Sequence, residues 1–356
     1  MQKVGKFLKK VGKILLYIVL ALVVLIGAFV IWLRIEPREV TECDAGFRLI
    51  KNATGGDCVP VPADRIMLSS SVVGQFFIAV DQPSAMLVSV WDYFNAADIP
   101  GLYERLREVN EGAVDLGDVQ GNVAQNLELL LQIDPDVIVS EYEVGELLKP
   151  AEAVAPVIQL THLESWKEMM LFAGDLIDEV GEAERLLAEY EMRVDILQAQ
   201  FDDASAITIS NVRIFQDSTT VQLPTSFSGE IIREVGFSFP EQQLALLEGN
   251  PDLTEIDISD ERIDLIDADY LFLYGGHPDG TFELYYETTT SLVVEQFRGD
   301  SLFQFLEAEA VGQAHEVDIY WAVPGIYSAH YVLDDLFRYV AGVDPEEVAP
   351  NPLRLE

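Results

Sequence analysis

The side chains with the most chemical potential stand just beyond short apolar runs, where parallel strands would end. Trp91 ends MLVSVW, with Asp92 and Tyr93 just after it, and Glu141 and Tyr142 follow DVIVS. Arg213 lies late in AITISNVRIF, and His277 follows DYLFLYGG, with Tyr285 and Tyr286 in the next loop. Trp321 ends VDIYW, and Tyr327 lies shortly beyond it. Aromatic faces with an arginine suit a bulky, partly anionic organic ligand, through stacking and charge-assisted hydrogen bonds. Trp91, Tyr142, Arg213, His277, Tyr285, Trp321 and Tyr327 are therefore the candidate ligand residues. Every aromatic among them fits core packing equally well, and Arg213 fits a surface ion pair.

Signals for catalysis are missing. The chain has no G-x-S-x-G elbow, no Walker A loop and no G-x-G-x-x-G. Its four histidines, His162, His277, His315 and His330, are scattered, with no H-E-x-x-H. A dedicated metal cage gathers several His and carboxylate ligands, so no directly bound metal or other cofactor is expected. A metal inside an organic chelator fits the pattern. With 61 acidic residues a catalytic carboxylate pair stays open, and with it the alternative of an anchored enzyme or sensor.

Alternating elements are needed to place those loops. RIMLSSS, MLVSVW, DVIVS and PVIQL read as strands of a first lobe, separated by helical stretches such as NVAQNLELLLQI and GELLKPAEAVA. Short continuous apolar runs between helices indicate buried parallel strands. Residues 163–201 carry a helical period and read as two helices, or one kinked at Gly181. A second lobe repeats the alternation: AITISNVRIF, DYLFLYGG and VDIYW as strands, with SGEIIREVG, SDERIDLIDA, SLFQFLEAEAV and YVLDDLFRYVAG as helices. The expected fold is α/β: two lobes with mainly parallel sheets, joined by a long helical segment, with a ligand cleft between them. In such sheets ligands sit beyond the carboxyl ends of the strands.

Ile14–Leu33 is a run without a single charge, preceded by five lysines. Its 20 residues are enough to span a bilayer as a helix, and the lysines place the N-terminus in the cytoplasm. A cleaved signal peptide is the rival; its apolar region is shorter and ends in small residues, unlike Ile31-Trp32-Leu33. No lipoprotein-type cysteine follows the run directly. The whole chain has 22 Lys+Arg against 61 Asp+Glu, net −39. Residues 1–38 hold seven basic residues and one acidic, which leaves 15 basic and 60 acidic, net −45, for 39–356. A surface of that sign repels phosphate backbones, so nucleic acid is not an expected partner. The two cysteines, Cys43 and Cys58, are expected to pair outside the cytoplasm. The resulting organisation is a cytoplasmic tail and transmembrane anchor (1–38), a disulfide-closed stalk (39–62), an N-terminal lobe (63–162), a connecting helical segment (163–202), a C-terminal lobe (203–346) and a tail (347–356).

Three stretches then share an order and spacing with a known family. The first is Asn126-Leu127-Glu128 followed by Ile133-Asp134-Pro135-Asp136-Val137-Ile138-Val139, where the family pattern is N-L-E, a helix and K-P-D-L-I-I; Asp134 replaces its usual lysine. The second is Ile258-Ser259-Asp260-Glu261 leading to Ala268-Asp269-Tyr270. The third runs from Ser301-Leu302-Phe303 through Val317 and Trp321 to Val332-Leu333-Asp334-Asp335-Leu336. Over about residues 62–345 the chain resembles the substrate-binding proteins of ABC importers for iron–siderophores, haem and cobalamin. The resemblance implies two rigidly held lobes, a ferric siderophore as ligand with haem or cobalamin second, and Fe(III) present only within that ligand. It also implies an ABC permease and its ATPase as partners, with Glu128 and Glu261 pairing with arginines of the permease.

Overall fold

The computed structural model describes residues 42–50, 56–68, 71–80, 87–88, 99, 102, 127–140, 151–160, 165–215, 218–275 and 289–354. The expected anchor at 14–33 lies outside them. Among the described residues no helix is long and apolar enough to cross a membrane.

The first elements are two short strands, β1 (Phe47–Ile50) and β2 (Asp57–Pro60), paired antiparallel. Cys43 and Cys58 are joined by a disulfide, as expected for a pair of cysteines outside the cytoplasm. The hairpin is no free stalk. Ile50 and Val59 are buried in the main core. Arg48 donates to the carboxylates of Asp175 and Asp178 and to the Asp175 carbonyl (3.0 Å), tying the hairpin to the turn between two long helices.

The first lobe follows: β3 (Ile66–Leu68), α1 (Ser71–Ala79), β4 (Leu87–Val88), α2 (Leu127–Ile133), β5 (Val137–Ser140) and β6 (Val157–Gln159). Its sheet has the order β4-β3-β5-β6, and every pairing is parallel. All four residues of β5 are buried, which is why DVIVS reads as one continuous apolar run. Asp134, in place of the family lysine, ends α2 with φ 51°, a left-handed conformation that aspartate tolerates better than most residues. Asp136 then accepts from the backbone N–H groups of Asp64 (3.0 Å) and Arg65 (2.8 Å), pinning the start of β3 beside the start of β5.

Two helices connect the lobes: α3 (Trp166–Leu176) and α4 (Val180–Gln198). Ser165 caps α3 by accepting from Glu168 N. The break lies at Ile177–Glu179, where Asp178 takes φ 65°, and Gly181 sits inside α4. Of the two expected alternatives the chain forms two consecutive helices, with the break three residues before Gly181.

The second lobe contains β7 (Ile209–Ile214), β8 (Thr219–Gln222), α5 (Phe227–Val235), α6 (Glu241–Leu247), β9 (Glu255–Ile258), β10 (Tyr270–Gly275), α7 (Thr289–Arg298), α8 (Glu307–Ala310), β11 (Ala314–Glu316), α9 (Ile326–Asp335) and α10 (Pro345–Val348). The sheet order is β11-β10-β7-β8-β9. β7, β10 and β11 are mutually parallel, whereas β8 runs antiparallel to β7 and β9. SGEIIREVG folds as the expected helix: Ser226 caps it, and Gly236 ends it at φ 97°, where a side chain would be strained. Asp269 repeats the Asp136 device: its carboxylate accepts from Thr208 N (2.7 Å) and Thr208 Oγ1 (2.9 Å) at the start of β7.

Two expected elements are corrected. VDIYW is not a strand: β11 ends at Glu316, and Ile319–Ala322 is a 3₁₀ turn with Asp318 at its N-cap position. SLFQFLEAEAV is not one helix but a 3₁₀ turn, Phe303–Phe305, followed by α8. The expected tail is also docked. Arg193 Nε donates to the Ala349 carbonyl (2.9 Å), and Asn351 Nδ2 donates to Asp334 (3.2 Å).

One core joins both lobes. It runs from Ile66 and Val139 through Met170, Leu186 and Tyr190 of the connecting helices to Ile209, Phe272 and Val332. Gln75 of α1 is fully buried and donates to the Pro324 carbonyl (3.1 Å). A Cβ at Gly325 would lie 2.0 Å from the end of the Gln75 side chain, which would have to move to admit it. The first-lobe helix therefore packs directly on the backbone that opens α9. Such continuous packing resists sliding of one lobe past the other.

Candidate functional site

Of the described ligand candidates, Arg213 stands at one end of the second sheet. Arg213 and Tyr274 are the penultimate residues of β7 and β10 and lie side by side in register. Alternation along each strand puts both on one face, with Phe272. Thr220 of β8 is the neighbour of Arg213 on the other side, and Asp257 of β9 the neighbour of Thr220. Arg213 is half-buried, and its guanidinium carbon stands 4.7 Å from the Phe215 ring centroid, a cation–π geometry that fixes the head group. Its Nε is buried without a hydrogen-bond partner, and no carboxylate pairs with it among the described residues.

Tyr274 was not among the sequence candidates, since LFLY reads as plain buried strand. Its side chain is fully buried and its hydroxyl has no hydrogen-bond partner. Burial raises its pKa well above the phenol range, with Arg213 pulling down and Glu255 pushing up. The phenol therefore stays protonated and acts as a donor. Nearby polar groups on this face are already engaged: Thr220 Oγ1 donates to Asp257 (2.6 Å), and Gln222 Nε2 to Glu255 (2.8 Å).

Trp321 and Tyr327 lie elsewhere. Trp321 is completely buried, stacked on Phe272 at 4.4 Å, and its indole N–H donates to Asp335 Oδ2 (2.9 Å). Tyr320 Oη donates to the same oxygen (2.7 Å), and Arg338 reaches Asp335 Oδ1 (3.1 Å). Trp321 is thus a core residue, in correction of the expected ligand role, and Tyr327 is likewise buried in the main core. Trp91, Tyr142, His277 and Tyr285 fall outside the described residues.

The Asp335 cluster has a pH signature. Burial raises its carboxyl to about 6, with Trp321 and Tyr320 pulling it back. A folded pKa above the unfolded value means that the fold holds this proton more tightly. Its contribution is complete below the unfolded pKa and is lost as pH rises through about 6. The Trp321 indole N–H resonance should accordingly titrate with a midpoint near pH 6. A resonance unmoved between roughly pH 4.5 and 7.5 would contradict the assignment.

A second buried polar cluster joins Arg193, Asp334 and His330. Arg193 Nη2 pairs with Asp334, and Nη1 stands 2.9 Å from His330 Nδ1 and 3.0 Å from the His330 carbonyl. Burial, then the Arg193 charge, holds the histidine pKa well below its ordinary value. Shifted ionisable groups often mark functional sites, but these are enclosed by α4, α9 and the C-terminal segment, and their bonds tie those elements together. Among the described residues no group of three or more His, Cys, Asp or Glu is placed to hold a metal ion.

Glu128 and Glu261 are both exposed. Glu128 stands in the first turn of α2. That helix runs back toward the start of β5, so its first turn lies toward the end of the sheet where the strands finish. Glu261 follows β9, whose last residue, Ile258, pairs with Thr219 beside the end of β7. It therefore occupies the same end of the second sheet as Arg213. A hydrogen bond from the Ser259 side chain, then one from its own backbone N–H, hold the Glu261 carboxyl below the usual range. Each lobe thus presents an exposed carboxylate, and a pair of this kind suits bidentate arginine.

Two α/β lobes on a continuous helical connector, with unpaired donors where the strands end, describe a solute-binding protein. The family model "Periplasmic binding protein" matches residues 107–317, and the chain belongs to that family. It is 26% identical over 298 residues to the probable siderophore-binding lipoprotein YfiY of Bacillus subtilis, covering 82% of this chain and 87% of that one. It is 25% identical over 291 residues to the achromobactin-binding periplasmic protein of Dickeya dadantii, covering 80% and 90%. Among solved structures, Staphylococcus aureus SirA complexed with staphyloferrin B shares the fold at a TM-score of 0.64 and 19% identity, covering 82% of this chain and 98% of that one.

Proposed function

We propose that this chain is the extracytoplasmic, membrane-anchored binding protein of an ABC importer, and that it captures a ferric siderophore. The observation that carries the reading is the half-buried Arg213, without a carboxylate partner among the described residues, at the strand ends of a periplasmic binding protein fold. A half-buried cation that no carboxylate pairs with among the described residues is available to an anionic ligand. The relatives named for siderophore and achromobactin binding support the same class. Iron enters as cargo inside the chelate, and no catalytic role is assigned.

Anchoring follows from the apolar run at 14–33. Both cysteines of the chain are joined in the Cys43–Cys58 disulfide. Delivery would use Glu128 and Glu261, one on each lobe, against arginines of the permease.

The test is affinity. Arg213→Ala should weaken binding of an anionic ferric chelate at least about tenfold while leaving the fold intact, since a charged hydrogen bond is lost. Unchanged affinity would remove the observation on which the reading stands.

A further inference from the structure

Resting on the binding-protein reading above, we infer that Arg213 and Tyr274 together form a carboxylate subsite, which selects chelates carrying an ionised carboxylate over neutral or cationic ones. The two side chains are neighbours across β7 and β10, on one face and at one end of the sheet. Phe215 holds the guanidinium in place from beneath. The Tyr274 hydroxyl is fully buried yet has no hydrogen-bond partner among the described residues. A buried hydroxyl without a partner is costly, and native structures rarely keep one without a use. Thr220 and Gln222 turn their donors to Asp257 and Glu255, and neither is bonded to the Tyr274 hydroxyl.

What remains is a fork of guanidinium N–H groups with one O–H beside it: donors only, next to one positive charge. A carboxylate complements that set, having two oxygens and a negative charge to accept from both residues. A tris-hydroxamate chelate offers less, since its three hydroxamates neutralise Fe(III) and leave no net negative charge for the guanidinium. A chelate with a free ammonium meets the arginine with like charge. Tyr274 is thereby a specificity residue, and its hydroxyl has no structural bond to lose.

The experiment uses the full chain in detergent, as wild type, Arg213→Gln and Tyr274→Phe. Each is titrated with ferric citrate, ferric staphyloferrin B and ferrioxamine B, the last having hydroxamates and no carboxylate, and each is melted without ligand. The wild type should prefer a carboxylate chelate. Tyr274→Phe should lose about tenfold affinity for it, with ferrioxamine B affinity unchanged. The ligand-free melting temperature should stay level or rise. A lower melting temperature would make the hydroxyl structural and overturn the inference. So would equal losses for all three chelates, or wild-type binding of ferrioxamine B alone; in those cases the binding-protein reading survives. A folded wild type that binds none of the chelates overturns both.

Discussion

Asp334→Ala is expected to destabilise the protein by about 3–5 kcal/mol, the usual effect of removing one member of a buried ion pair. The Asp334 carboxylate is 5% exposed and the Arg193 side chain 2%. One carboxylate oxygen takes Arg193 Nη2 and the other takes Asn351 Nδ2. Without Asp334 the guanidinium stays buried, since its remaining bonds run to the neutral His330 ring and to the carbonyls of His330 and Ala349. None of these carries a compensating charge. Three segments depend on the pair: the connecting helix α4, the closing helix α9 and the C-terminal stretch beyond α10. The melting temperature should fall by roughly 10 °C. The double variant Arg193→Met, Asp334→Leu should recover most of the loss, because an apolar pair leaves no unpaired charge behind. An Asp334→Ala protein melting within about 1 °C of wild type would show that the pair holds nothing together.

Charge reversal at Glu128 and Glu261 is expected to separate binding from transport. Both carboxylates are exposed and lie toward the strand-end faces of their lobes. Removing one partner of an interfacial ion pair commonly costs about 2–5 kcal/mol, and reversal adds repulsion from the facing arginine. Each single variant should therefore lower siderophore uptake by at least about tenfold, and the double variant further. Affinity for the free ligand should stay level, since neither glutamate lies at the Arg213–Tyr274 pair. The lowered pKa of Glu261 keeps it charged in mildly acidic medium, so its part in docking should persist there. Full uptake by the double variant would refute the docking role.

Much of the fold was legible because its parallel strands are buried on both faces. DVIVS and LFLY are continuous apolar runs for that reason. The motif aspartates also proved informative, as Asp136 and Asp269 each fasten the start of a strand. Misreadings came where local pattern and tertiary role diverge. VDIYW has strand-like composition, yet its Tyr320 and Trp321 turn inward onto Asp335 through a 3₁₀ turn. Gly181 looked like a breaker, but it stands in the first turn of α4, and the turn before it is made by Asp178. Arg193 read as one more charge on an amphipathic helix, and nothing local reveals that Asp334 lies 141 positions away as its partner. Tyr274 was hidden in the same way: only the register of β7 against β10 brings it beside Arg213.

The central claim is that this chain binds a ferric siderophore. It is tested most directly by calorimetric titration of the purified full chain with ferric staphyloferrin B, achromobactin and bacillibactin, each with and without iron. The account predicts saturable binding of at least one ferric complex at one ligand per chain, with the iron-free compound weaker. A folded chain that gives no saturable heat with any of the ferric complexes would contradict it.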